Sequence, residues 1–238
     1  MEKKNNIIFI IILIITLVLV GVCIYFVLNN NKRINEDARK FREEYMVLNN
    51  KLNELTNTNY SDVFISEDNT VKYVNAEDAI KILEKGSGYI YFGYAECAEC
   101  RLFVPVLTEV FSKKNIEINY LDVQNIRSSF VLKDGTISKI KDGTKEYYKI
   151  LKLLDKELED LYLIDEAGNM YDTKEKNFFV PILVAVSSGK VSGIHVGSVS
   201  NDPNSLTNEE KTNLENILNK IINDKEIEDS TCSNDKVC

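Results

Sequence analysis

The spacing of hydrophobic positions changes along this chain, and each change predicts a different element. Residues 7–28 are 22 consecutive positions without a charge. As a helix such a run rises about 33 Å against a hydrocarbon core of roughly 30 Å, which predicts a single membrane anchor. A cleaved signal peptide competes with this, but the run is longer than an h-region and no small-residue cleavage site follows Leu28. Lipid attachment at Cys23 is a third reading; Val22 stands just before that thiol, and the apolar run continues past it. Beyond the run, Ile34, Ala38, Phe41, Tyr45, Leu48, Leu52 and Leu55 recur at alternating steps of four and three, about three heptads. This stripe fits a short parallel coiled coil that dimerises the chain, or a stalk helix that lays the stripe on its own domain. Thr56, Asn57, Thr58 and Asn59 then read as a linker.

From Val71 the pattern alternates between short apolar runs and amphipathic helices. Residues 71–74 predict a strand, and Asn75 caps a helix carrying Ala79, Ile80, Ile82 and Leu83, which Gly86 and Gly88 end. Residues 89–92 are too apolar to face water on either side, so they predict a central strand. A helix follows through Phe103, Val106, Leu107, Val110 and Phe111, and Pro105 inside it predicts a kink. Residues 116–123 read as a strand. Asp134-Gly135 and Asp142-Gly143 are turn signals, residues 146–158 a helix, and 161–171 a small hairpin. Residues 178–186 and 191–199 predict a hairpin about Ser188-Gly189-Lys190, with Pro181 interrupting its first strand. The last helix opens on Thr207 with Glu210 three residues later, a capping box, and residues 223–238 form a polar tail.

Composition narrows the function. The net charge is −8 and there is no Trp, so no basic aromatic surface recommends nucleic acid as a partner. Lys3 and Lys4 precede the apolar run while Lys32, Arg33, Arg39 and Lys40 follow it, so the charge rule does not favour an external C-terminus. Long domains translocate largely regardless of local charge, and disulfide chemistry is most useful where disulfides persist. The expectation is therefore a single-pass protein of the cell membrane with an extracytoplasmic domain.

The chemistry lies in Gly-Tyr-Ala-Glu-Cys-Ala-Glu-Cys-Arg, residues 93–101. Cys97 and Cys100 stand three positions apart at a strand-to-helix junction. The first helical turn brings the thiols together, and its free amides stabilise a thiolate. Such a pair predicts dithiol–disulfide exchange without a cofactor. A zinc half-site would need two more ligands, and His195 and the tail thiols are the only non-carboxylate candidates. A structural disulfide, or a relic motif on a binding module, would place the same two thiols here without any exchange. Cys232 and Cys238 are a candidate accessory redox pair that relays electrons to Cys97, or else close a small terminal loop.

The order strand, helix, strand, Cys-x-x-Cys, helix, strand, then Val-Pro opening a hairpin and a final helix resembles the thioredoxin-like superfamily over residues 71–223. Tyr91-Phe92-Gly93 through Cys100-Arg101-Leu102-Phe103 looks most like its bacteriocin transport accessory branch. The resemblance implies an α/β fold with a central mixed sheet flanked by helices. It also makes Pro181 a cis-proline facing the dithiol, gives Val180 the backbone groups that hold a substrate chain, and lets Gly197 keep the substrate groove open. Without the resemblance, Pro181 reads as a trans proline at a strand entry and Gly197 as a simple bulge. The chain departs from the family in having Glu96 before the first cysteine and Ala98-Glu99 between the two, and in placing Tyr91 where thioredoxins bury an aspartate. The two carboxylates disfavour a Cys97 thiolate, while the helix N-terminus and Arg101 favour it.

The expected organisation is a transmembrane anchor over 1–30 and a helical stalk over 31–60. A thioredoxin-like domain over 61–223 follows, with an inserted helical segment at about 127–176, and then a flexible tail over 224–238. The expected function is a membrane-anchored thiol–disulfide oxidoreductase, leaning to reductant or isomerase, that exchanges disulfides with exported proteins or peptides. Cys97 exchanges with the client, Cys100 resolves, and an unidentified membrane or thiol donor supplies electrons. The competing function is a non-catalytic accessory that binds a peptide or transport partner.

Overall fold

The computed structural model describes residues 2–54, 56–197, 200, 202 and 204–234. Helix α1 (Glu2–Met46) leads into two-residue strands β1 (Leu52–Asn53) and β2 (Thr58–Asn59). Then come β3 (Val71–Tyr73), α2 (Ala76–Lys85), β4 (Gly88–Gly93), α3 (Ala98–Lys113) and β5 (Ile118–Asp122). The chain continues through β6 (Ser129–Lys133), β7 (Thr136–Lys141), α4 (Lys145–Leu153), β8 (Asp160–Ile164) and β9 (Met170–Lys176). It closes with β10 (Ile182–Ser187), β11 (Lys190–Val196) and α5 (Asn208–Asn234).

The result is α/β with a mixed five-stranded sheet in the order β11-β10-β4-β5-β3. β4 and β3 each pair parallel with β5, whereas β10 pairs antiparallel with β4 and β11. β4 is central, and all its residues but Gly88 are buried, as expected of a run without polar alternation. Its pleat divides the core. Tyr91 stacks on Phe103 of α3 and Tyr120 of β5 and meets Phe41 of α1 edge-on. Phe92, on the opposite face, packs against Phe178, which in turn meets Tyr147 of α4. Local signals act where the chain places them. Asn75 accepts from the Asp78 N–H, Thr207 and Glu210 form their reciprocal cap, and Ser188 and Gly189, both at positive φ, turn β10 into β11. Helix α3 runs through Pro105 as one continuous element.

Several expectations are corrected. No helix among the described residues is long and apolar enough to cross a membrane. The single-span anchor over 7–28 and the placement in the cell membrane are therefore not supported. The heptad stripe does not stand free either: Ala38, Phe41 and Tyr45 are buried in this chain's own core. Glu44, on the same helix, accepts hydrogen bonds from the Tyr73 and Tyr120 hydroxyls. The segment at 127–176 is not a helical insertion but two antiparallel hairpins, β6–β7 and β8–β9, with the short α4 between them. The tail is not loose from 224, because α5 continues to Asn234. Ser187 of β10 donates to Asp229 and anchors the later turns of α5 to the sheet, while Lys225 pairs with the same carboxylate within the helix.

Candidate functional site

β4 ends at Gly93, and a short loop delivers Cys97 to the start of α3. Cys97 has extended backbone (φ −72°, ψ 118°), and its Sγ accepts the Cys100 N–H at 3.1 Å. The sulfur is thus the N-cap of the helix that follows, where orphan amides and the helix dipole favour negative charge. Its thiol lies below the usual cysteine range. The hydrogen bond from the Cys100 side chain is the main cause, helped by the Cys100 backbone N–H and the Arg127 charge, while burial and Glu99 push the other way. Cys100 is pushed well above the usual range, first by burial and then by Cys97. The residues differ in access as well: Cys97 is 8 % exposed and Cys100 0 %. An outer, more acidic sulfur over an inner, protonated one is the asymmetry a stepwise exchange needs.

The structure brings the second half of the predicted site to the first. The Val180-Pro181 peptide bond is cis. The Val180 carbonyl faces the dithiol, and the Cys97 Sγ donates to it at 3.8 Å. Gly197 closes against the same loop: its N–H donates to the Pro181 carbonyl at 2.8 Å, and its φ is +80°. A Cβ there would stand 3.4 Å from the Phe179 ring on a backbone that L-residues rarely adopt. Phe179 and Val196, neighbours of Val180 and Gly197, expose their side chains and line a cavity of about 310 Å³ with Glu157, Leu158, Glu159 and Asn177.

Other candidates fall elsewhere. Arg101 does not face the thiolate. Only 1 % exposed, it donates to the carbonyls of Ser61, Tyr45 and Ala95 and to Asn49 Oδ1, tying α1 and the 49–61 segment to the thiol loop. The cation that acts on Cys97 is Arg127, which donates to the Tyr94 hydroxyl at 2.8 Å and lies over its ring. Glu96 is exposed. Glu99 is half-buried, its Oε2 without a hydrogen-bond partner among the described residues, and its charge raises Cys97. The predicted carboxylate penalty is present at Glu99, set against the Cys100 hydrogen bonds and the Arg127 charge. His195 stacks on Phe103 with Nε2 against the Gly197 carbonyl, and burial lowers its pKa. Among the described residues no three His, Cys, Asp or Glu side chains cluster as metal ligands. The Cys232 side chain and Cys238 lie outside the described residues.

Two contributors escape sequence reasoning: Arg127, at the edge of the inserted segment, and Tyr45, far upstream in α1, whose hydroxyl bonds that of Tyr91 at 3.0 Å. No local spacing ties either one to the Cys-x-x-Cys run. No protein-family model matches this chain, and no curated protein matches it in sequence.

Proposed function

We propose that this protein exchanges thiols and disulfides with protein or peptide clients through Cys97 and Cys100, as its likeness to the thioredoxin-like superfamily implies. One observation carries the reading: the more exposed, more acidic Cys97 sulfur caps α3 directly opposite the Val180 carbonyl of the cis-proline loop. An extended client lying along Val180, Pro181 and Gly197 then presents its disulfide to that sulfur. The Cys97 thiolate attacks one client sulfur, forming a mixed disulfide and releasing the other as a thiolate. Cys100 loses its proton and attacks Cys97 Sγ. The second client sulfur leaves and is protonated, and the chain is left with a Cys97–Cys100 disulfide. Two electrons pass to the client, and a partner dithiol restores the pair. The same geometry serves the reverse direction.

Reduction of a disulfide-bonded test protein such as insulin, in the presence of a dithiol donor, tests the reading. Turnover is expected for the wild-type chain and is lost in Cys97→Ser. Client binding without turnover would instead make the domain a non-catalytic platform.

A further inference from the structure

The segment inserted between β5 and β10 brings carboxylates to the edge of the exchange site. A Cβ on Gly197 would stand 3.4 Å from the Phe179 ring, so that ring lies directly against the loop whose Val180 carbonyl meets Cys97 Sγ. Phe179 and Val196, 52 % and 37 % exposed, give the cavity of about 310 Å³ its apolar lining. The rest of the lining comes from the chain entering β8 and leaving β9, where the Glu159 carbonyl accepts the Asn177 N–H at 2.8 Å and Leu158 is buried. Glu157 and Glu159 are exposed there, and among the described residues neither carboxylate has an ion pair with a lysine or arginine. Their neighbours Asp155 and Asp160 do, since both meet Lys176, at 3.6 and 3.0 Å. Lys156 is exposed and lines no part of the cavity. An aromatic ring and two carboxylates without a counter-charge therefore border one space beside the client loop.

We propose that this cavity is a specificity pocket for a lysine or arginine side chain of the client, which makes cationic polypeptides the preferred substrate class; the inference rests on the exchange reading and names its substrate. A long cationic side chain has the two parts the lining asks for. Its aliphatic stem covers Phe179 and Val196, and its charged head meets Glu157 and Glu159 while remaining near water. The face of the Phe179 ring adds its own attraction for the cation. Reach is adequate as well. Phe179 is next to Val180 in sequence, and an extended client advances about 3.3 Å per residue, so a side chain within two or three positions of the half-cystine arrives at the cavity. A glutamate at the same client position would meet two like charges, and a neutral side chain would gain only the apolar contact. Because both carboxylates are exposed, the preference is electrostatic, partly screened, and dependent on ionic strength.

The test uses the full chain with Cys23, Cys232 and Cys238 replaced by Ser. The probes are short blocked peptides with a central cysteine flanked on each side by two Lys, two Gln or two Glu, each carried as its mixed disulfide with thionitrobenzoate. Cys97 attack on the peptide sulfur forms the new disulfide and expels the coloured aromatic thiolate, so absorbance gives a second-order rate constant. Dividing it by the rate with mercaptoethanol removes the peptide's intrinsic reactivity. At low salt the Lys peptide should react about five- to tenfold faster than the Gln peptide, and the Glu peptide slower than either. At about 0.5 M NaCl the Lys preference should fall to about twofold. Glu157→Gln, Glu159→Gln should lower it to about twofold at low salt, whereas the charge-matched Glu166→Gln, Glu209→Gln, on exposed positions elsewhere, should keep it. A wild-type preference below about twofold at low salt, or one that the two double variants reduce equally, overturns the pocket and leaves the exchange reading standing. Release no faster than in Cys97→Ser, for every peptide, refutes the exchange reading itself.

Discussion

Replacing Arg101 by Lys separates two roles for a cation beside the dithiol. The guanidinium makes four hydrogen bonds, to Ser61 O at 2.7 Å, Tyr45 O at 2.8 Å, Ala95 O at 3.3 Å and Asn49 Oδ1 at 2.8 Å. These acceptors lie around a planar fork, and a lysine ammonium, a single point at the end of a flexible stem, can keep at most two of them. Losing two hydrogen bonds from a buried charge costs about 2–4 kcal/mol. With a urea dependence of about 2.5 kcal/mol per molar, the unfolding midpoint should fall by roughly 0.8–1.6 M. Because Arg101 faces away from the sulfur, the pH dependence of Cys97 alkylation should stay where it is in wild type. Urea unfolding followed by circular dichroism, with iodoacetamide rates across pH, measures both. A midpoint that falls by less than about 0.3 M, a small fraction of that shift, or a Cys97 profile displaced to higher pH, would refute the clamp and return Arg101 to the role its position in the motif suggests.

Arg127→Gln should do the converse, slowing Cys97 alkylation at pH 7 about two- to fivefold, the scale of a partly screened charge, with stability nearly unchanged. Phe41→Ala should cost about 3–5 kcal/mol in urea unfolding, because the ring is fully buried against Tyr45 and Tyr120; a free stalk would show no such loss. Burial raises the Glu44 carboxyl above its ordinary value, so its contribution is complete below that value and is lost as pH rises through the folded one. Glu44→Gln is therefore expected to melt above wild type at pH 7, with the gap closing by pH 4, in scanning calorimetry at both pH values.

Sequence patterns serve best where a signal is local. The Asn75 cap, the Thr207-Glu210 box, the turn at Ser188-Gly189 and the Cys97 junction each need only a few neighbouring residues, and each forms where its residues predict it. The stripe from Ala38 to Tyr45 is ambiguous for a physical reason: a seam for a second copy and a face docked on a sheet have the same period. The hairpins of the inserted segment are half-exposed and rich in Lys, so their alternation is weak as a strand signal. The end of α5 depends on Asp229 meeting Ser187, 42 residues away, which no window of helical period contains. Within the site, the sulfur pair and the Val180-Pro181 wall are legible because they sit in recognisable strings. Arg127 and Tyr45 are not, since tertiary packing alone brings them to Tyr94 and Tyr91, on either side of Gly93 ahead of the thiol loop.

The central claim is that Cys97 is the sulfur that meets the client and Cys100 the one that releases it. Cys100→Ser removes only the second step, so a mixed disulfide should accumulate. The full-length Cys100→Ser chain, incubated with a disulfide-bonded protein and quenched in acid, should give an adduct on non-reducing gels that dissolves with reductant. Peptide mass mapping should place the link at Cys97, and the adduct should be absent from Cys97→Ser, Cys100→Ser. Absence of an adduct, or one that maps to Cys23, Cys232 or Cys238 and persists without Cys97, would contradict the account.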